Sequence, residues 1–264
     1  MEWYWIISFV GVGLVAGLLS GLLGISGGVI TVPSLLFLFR QIGLPADSLM
    51  HIAVGTSLSS MAFNSFSSMM THRRRQSIIW EAVLKMAPGL MLGAVGGAFL
   101  AGNLGSGFLQ IFFGCFECVI GIYFLFPVRP REDLHPLPSW LALSGAALFI
   151  SGLATILGIG GGLMVTPLLI WFGFRMRKAV GTSSACSFAV CASGAISYLI
   201  IGLQSGEVIE DTIGYVHFPS FLTMVLTAPF AAILGAQLHH VLPVRVMRSV
   251  FGVALVLAGL ALIF

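Results

Sequence analysis

The feature that most constrains this chain is a ten-residue stretch that occurs twice, each time inside an apolar run too long for one membrane helix. The second copy is Gly158-Ile159-Gly160-Gly161-Gly162-Leu163-Met164-Val165-Thr166-Pro167. The first, aligned without a gap, is Gly24-Ile25-Ser26-Gly27-Gly28-Val29-Ile30-Thr31-Val32-Pro33. The enclosing runs, 4–39 and 138–174, hold 36 and 37 residues. As single helices they would be roughly 55 Å long, whereas a bilayer core of about 30 Å needs only about 20 residues. Clustered glycines weaken a helix by about 1 kcal/mol each. The later proline removes a donor and favours the first turn of a new helix. Each run is therefore expected to be a helix, a glycine break inside the membrane and a second arm. A break at that depth is tolerated only where it is buried in protein or lines a wet cavity, and it is where transporters bind substrate.

Composition sets the solvent. The chain is 58% hydrophobic and 8% charged, with a mean hydropathy of +1.06, against about 25% charged residues in a soluble domain. A polytopic membrane protein is expected, with its 264 residues filled by spans and short connections. Met1-Glu2-Trp3-Tyr4-Trp5 lacks the positive n-region of a cleavable signal peptide and fits an interfacial aromatic belt instead. Cys115, Cys118, Cys186 and Cys191 all lie inside apolar segments, which excludes a secreted disulfide framework.

Ten apolar segments are expected, at 4–24, 28–39, 48–70, 78–101, 106–126, 138–157, 162–174, 179–203, 217–239 and 244–264. The second half repeats the first. Ala53-Val54-Gly55-Thr56-Ser57 matches Ala179-Val180-Gly181-Thr182-Ser183, and Ala87-Pro88 before Leu92-Gly93-Ala94 matches Ala228-Pro229 before Leu234-Gly235-Ala236. Phe113-Gly114 with Gly121 matches Phe251-Gly252 with Gly259. The expected organisation is a first transmembrane repeat at 1–127, a cytoplasmic loop at 128–137 and a second repeat at 138–264.

The basic residues orient the repeats. Eight simple spans would put Arg73, Arg74, Arg75, Lys85, Arg129 and Arg131 on one side and Arg40, Arg175, Arg177, Lys178, Arg245 and Arg248 on the other. Six against six violates the positive-inside bias. If 4–39 and 138–174 each turn back to the face they entered, eleven of the twelve fall on one side and only Arg40 on the other. The acidic connection with Glu207, Glu210 and Asp211, and the connection around Asn103, then land outside. The fold expected is all-α, with two inverted pseudo-symmetric repeats. Each repeat is a glycine-broken, hairpin-like helix pair followed by three transmembrane helices, with both termini outside.

A helix that starts inside the membrane presents unpaired N–H groups and the positive end of its dipole. Small residues let an anion reach those groups. Ser26-Gly27-Gly28 and Gly160-Gly161-Gly162 would face one shared site. The plainer reading is close helix packing through small residues, but two symmetric clusters that each split an overlong span favour a site. Hydroxyls crowd the helices that follow, and most of them suit helix packing. The repeated triplets stand out, making Thr56, Ser57, Thr182 and Ser183 candidate substrate contacts.

Glu117 lies mid-segment, and Leu255 takes its place in the second half. An intramembrane carboxyl is expensive and is a functional candidate by default; protonated, it could carry a coupling proton or bond a neighbouring helix. Lys85 lies near an inner end, where it can snorkel or attract anions. Cys115 and Cys118 form a C-x-x-C without the strand-to-helix context of a redox motif and read as packing residues. The six histidines scatter, with only His239-His240 adjacent, so neither a metal site nor a cofactor is expected.

The paired glycine–proline stretches, each followed by a hydrophobic-Gly-Thr-Ser motif, resemble the TauE/SafE family of sulfite exporters, also known as the toluene-sulfonate uptake family. The likeness covers essentially the whole chain. It implies a secondary transporter of a bacterial-type inner membrane, moving sulfite, sulfoacetate or other organosulfonates, with H⁺ or Na⁺ as coupling ion. Ser26 departs from the pattern where the second copy has Gly160, so the half-sites are unequal and one gains a hydroxyl donor. Other readings are a passive anion channel on the same scaffold and a membrane thiol–disulfide protein using Cys115 and Cys118. A scaffold role would leave the glycine breaks unexplained.

Overall fold

The structure, a computed structural model, describes residues 3–23, 27–126, 139–238 and 244–264. Among them are ten helices. The first half holds α1 (Trp3–Leu23), α2 (Gly28–Ile42), α3 (Leu49–Arg74), α4 (Trp80–Gly102) and α5 (Ser106–Leu125). The second holds α6 (Trp140–Ile156), α7 (Gly162–Trp171), α8 (Met176–Gln204), α9 (Phe218–Leu238) and α10 (Val244–Ile263). Four of these, α1, α4, α5 and α8, are long and apolar enough to cross a membrane. Large apolar side chains such as Leu84, Phe149 and Phe230 face outward along the bundle, as a lipid-facing surface requires. The expected inter-repeat loop at 128–137 lies outside the described residues.

The break between α6 and α7 has a local cause. Gly158, Gly160 and Gly161 have φ of +68°, +70° and +73°, a left-handed conformation that costs other residues roughly 1–2 kcal/mol each. The helix cannot continue through them. The prolines sit later than expected. Pro33 and Pro167 are each the sixth residue of α2 and α7, in the second turn. There the ring deprives Val29 or Leu163 of its i+4 donor, because the glycines have already ended the preceding helix and the new one starts at once.

The halves interlock. The most extensive pairings are α1 with α9, α4 with α6, α5 with α10 and α3 with α8, each joining one half to the other. Exchanging the halves turns α1·α9 into α6·α4 and leaves the other two unchanged. Small residues allow the close approach. Cβ atoms at Gly89, Gly93 and Gly97 of α4 would strike backbone carbonyls of Ser144, Leu148 and Gly152 in α6, so these two run parallel. Gly114 lies against Gly259 and Gly121 against Gly252, so the equivalent helices α5 and α10 run antiparallel. The same is true of α3 and α8, where Gly55 meets Tyr198, Leu58 meets Gly194 and Phe66 packs on Phe188.

A short hairpin was not expected. β1 (Thr212–Ile213) pairs antiparallel with β2 (Val216–His217) in the acidic connection before α9. It tucks Tyr215 against His51 of α3, with ring centroids 5.2 Å apart.

Candidate functional site

The glycine breaks meet at the centre of the molecule. A Cβ on Gly28, at the start of α2, would lie 2.5 Å from the Gly158 carbonyl oxygen and 2.7 Å from Ile159 Cα. Gly158, Ile159, Gly160 and Gly161 are all buried, as are Gly28 and Val29. Gly27 caps α2 in a right-handed conformation, φ −63°, whereas Gly161 caps α7 in a left-handed one. The two half-sites are therefore unequal. Ser26, proposed as an extra hydroxyl on one side, lies outside the described residues.

Hydroxyls from α3 and α8 hold the second break. Ser57 Oγ donates to the Gly158 carbonyl at 2.9 Å, and Ser183 Oγ donates to the Gly162 carbonyl at 3.2 Å. Thr31 Oγ1 donates to the Gly27 carbonyl at 3.0 Å. The threonines of the repeated triplets do something else. Thr56 Oγ1 accepts from the His217 amide at 2.9 Å, and Thr182 Oγ1 accepts from the Ile79 amide at 3.0 Å. Of the ten residues singled out in the sequence, Gly28, Ser57, Gly160, Gly161, Gly162 and Ser183 thus gather at the breaks, with Gly27 adjoining. Thr56 and Thr182 sit one residue earlier on α3 and α8, tied to the connections before α9 and α4.

Residues without a sequence signal complete the surroundings. A Cβ on Gly160 would lie 2.6 Å from both Cys191 Sγ and Met61 Cε, so these two side chains line the break directly. Thr155, three residues before Gly158, is fully buried, and its Oγ1 has no hydrogen-bond partner among the described residues. An unpartnered buried hydroxyl is costly and available to a polar ligand. Spacing could have flagged Thr155 next to the glycines, but nothing local marks Met61 or Cys191.

Glu117 is elsewhere. It is fully buried in α5 on the face that holds Phe113, Gly114 and Gly121, and neither carboxyl oxygen has a partner among the described residues. No described contact joins it to the breaks. Lys85 pairs with Glu81 at 2.7 Å on α4, an i,i+4 arrangement that neutralises its charge locally. Cys115 is exposed and Cys118 half-buried, both as free thiols. Among the described residues no cluster of His, Cys, Asp and Glu could hold a metal ion.

One end of the molecule carries a cavity of about 410 Å³ lined by Trp5, Leu44, Pro45, Glu210, Asp211 and His217. His217, in the connection before α9, is one of the lining residues. Its ring lies 5.5 Å from Phe9 and 5.0 Å from Phe39, and Nδ1 is 2.9 Å from Ser220 Oγ. Burial pushes this imidazole down to about 4, against the opposing pull of Asp211, so the ring is neutral at pH 7.

Over residues 9–262 the chain matches the family described as Sulfite exporter TauE/SafE. The chain belongs to the TauE/SafE family. It is similar to a probable membrane transporter protein of Haemophilus influenzae, 28% identical over 94% of each chain. It is 30% identical to one of Methanocaldococcus jannaschii over 94% of this chain and 92% of the relative. The probable membrane transporter protein YunE of Bacillus subtilis is 28% identical over 96% and 95%. No solved structure matches the chain. Family and helices together make this TauE/SafE member a multi-pass membrane transporter.

Proposed function

We propose that this protein is a secondary transporter of small sulfur-containing anions, sulfite, sulfoacetate or another organosulfonate, working by alternating access. The observation that carries the proposal is the meeting of two buried glycine breaks from opposite halves, Gly28 against Gly158. Helix starts at Gly28 and Gly162 each add a positive dipole end beside these breaks. Ser26, Gly27, Gly28, Ser57, Gly160, Gly161, Gly162 and Ser183 form the substrate site, with Thr56 and Thr182 beside it on α3 and α8. The repeats are inverted: equivalent helices α5 and α10 pack antiparallel, as do α3 and α8, and the basic residues sort best with both termini outside an inner-type membrane.

Glu117 carries the coupling proton. Its carboxyl is buried without a described partner, and such a group in a membrane span is retained for function more readily than for stability. A passive channel on the same scaffold is the second reading, and the burial of the glycines at the centre weighs against it. The test is flux in proteoliposomes with sulfite, sulfoacetate and an aromatic sulfonate, with and without a pH gradient. Saturable accumulation of one anion driven by the gradient is expected. Flux that only dissipates a gradient would establish the channel. Absence of flux from folded protein would remove the substrate assignment.

A further inference from the structure

Two short connections are held down in the same way at matching places of the two halves. The stretch Tyr215–His217, which leads into α9, crosses Gly55 so closely that a Cβ there would collide with the Tyr215 carbonyl. The His217 amide then donates to Thr56 Oγ1 at 2.9 Å. The stretch Ser77–Ile79, which leads into α4, crosses Gly181, where a Cβ would lie 2.5 Å from the Ser77 carbonyl oxygen. The Ile79 amide donates to Thr182 Oγ1 at 3.0 Å. Gly55-Thr56 and Gly181-Thr182 are equivalent in the repeat, and so are α9 and α4. Thr56 and Thr182 are fully buried, and Ser77 and His217 are 1% exposed.

Each strap has a second fastening. His217 Nδ1 pairs with Ser220 Oγ, while Ser77 Oγ donates to the His72 carbonyl at 3.0 Å and Lys178 Nζ donates to the Gln76 carbonyl at 2.7 Å. Because α3 and α8 run antiparallel, the straps lie towards opposite ends of the bundle. The neighbouring serines reach the other way. Ser57 and Ser183 bond the carbonyls of Gly158 and Gly162.

We propose that Thr56 and Thr182 are paired latches, each fastening one strap over one end of the central glycine breaks, with Ser57 and Ser183 linking each latch to the break. The inference rests on the transport reading above and gives it two gates. With both latches fastened the structure is the closed state. An anion that accepts the hydrogen bond of the Ser57 or Ser183 hydroxyl in place of the break carbonyl shifts the helix turn that bears the adjacent threonine, and so releases one strap. Substrate at the centre then biases a two-state element at one end. Gly55 and Gly181 are needed because only a bare backbone lets the straps lie this close.

Cys191 is a native reporter, since its buried Sγ lies against Gly160. In full-length protein carrying Cys115→Ser, Cys118→Ser and Cys186→Ser, its reaction with a charged, membrane-impermeant methanethiosulfonate is measured from each face of sealed vesicles. Thr56→Val should raise the rate about tenfold from one face alone, and Thr182→Val about tenfold from the opposite face alone, the scale set by one lost buried hydrogen bond. Thr→Ser at either position keeps the hydroxyl and should keep the parent rate. Unchanged rates, or equal rises from both faces, overturn the proposal. If a valine variant does not fold, amide exchange in the unaltered protein decides. Protection of Ile79 and His217 well above that of the connection around Glu207 supports the latches, and exchange as fast as that connection overturns them. Both measurements are made without substrate, so failure of sulfite flux bears on the transport reading alone.

Discussion

Gly28 lies against the backbone of Gly158, close enough that a Cβ on Gly28 would come within 2.5 Å of the Gly158 carbonyl oxygen. The halves of the chain therefore touch through their glycine breaks, with the start of α2 packed on the segment that leads into α7.

Gly160→Ala should abolish substrate flux. Its φ of +70° disfavours any side chain, and the added methyl meets Cys191 Sγ and Met61 Cε. The left-handed conformation alone costs about 1–2 kcal/mol, so thermal unfolding in detergent should shift by a few degrees while flux in proteoliposomes disappears. Full flux from this variant would remove Gly160 from the site.

Glu117→Gln separates coupling from folding. Since neither carboxyl oxygen has a described partner, removing the acid should leave stability unchanged or raise it by about 1 kcal/mol. Accumulation driven by a pH gradient should fall to background, while exchange of anion for anion continues. Persistence of both activities with the parent pH dependence would make Glu117 structural.

Gly114→Leu should be among the most destabilising single changes. The side chain would be driven into the Gly259 carbonyl and Ile263, prising α5 from α10. Overpacking of this kind costs about 3 kcal/mol or more, and the yield of folded protein on size-exclusion chromatography should drop sharply. Gly107→Leu, where a Cβ meets nothing within 4 Å, is the matched control.

Cys115→Ser with Cys118→Ser should retain flux within about twofold, because both thiols are free and lie away from the breaks. The margin is that of substitutions outside a working site. Complete loss would revive the thiol–disulfide reading.

Stability in detergent should depend on pH through His217. The folded-state value of about 4 lies below the ordinary 6.5, so the unfolded chain takes up the proton first. Stability present above pH 6.5 should therefore decline as pH falls towards 4 and level off below. The whole step is about 3 kcal/mol at 1.36 kcal/mol per unit. His217→Gln should flatten this profile between pH 4 and 6.5.

Helix positions were legible in the sequence because their causes are local. The segment expected at 106–126 is Ser106–Leu125, and the one expected at 162–174 opens at Gly162. Apolar runs, glycine clusters and charged interruptions act on neighbours in the chain, so a linear reading finds them. The hairpin at Thr212–His217 also had a local signal, β-branched residues around Gly214, but the acidic residues before it made the whole stretch read as plain connection.

What the sequence by itself determined was the kind of solvent, the duplicated plan and the places where helices must break. What only the tertiary structure decided was which hydroxyl meets which backbone. Ser57 bonds a carbonyl 101 residues away, and Thr56 an amide 161 residues away. Identical triplets thus contribute one residue to a break and one to a strap, a division fixed by how antiparallel α3 and α8 pack. Met61 and Cys191 line the break at Gly160 for the same reason. A side chain's partner across the bundle is set by the rotation and offset of packed helices, which no local pattern of residues encodes.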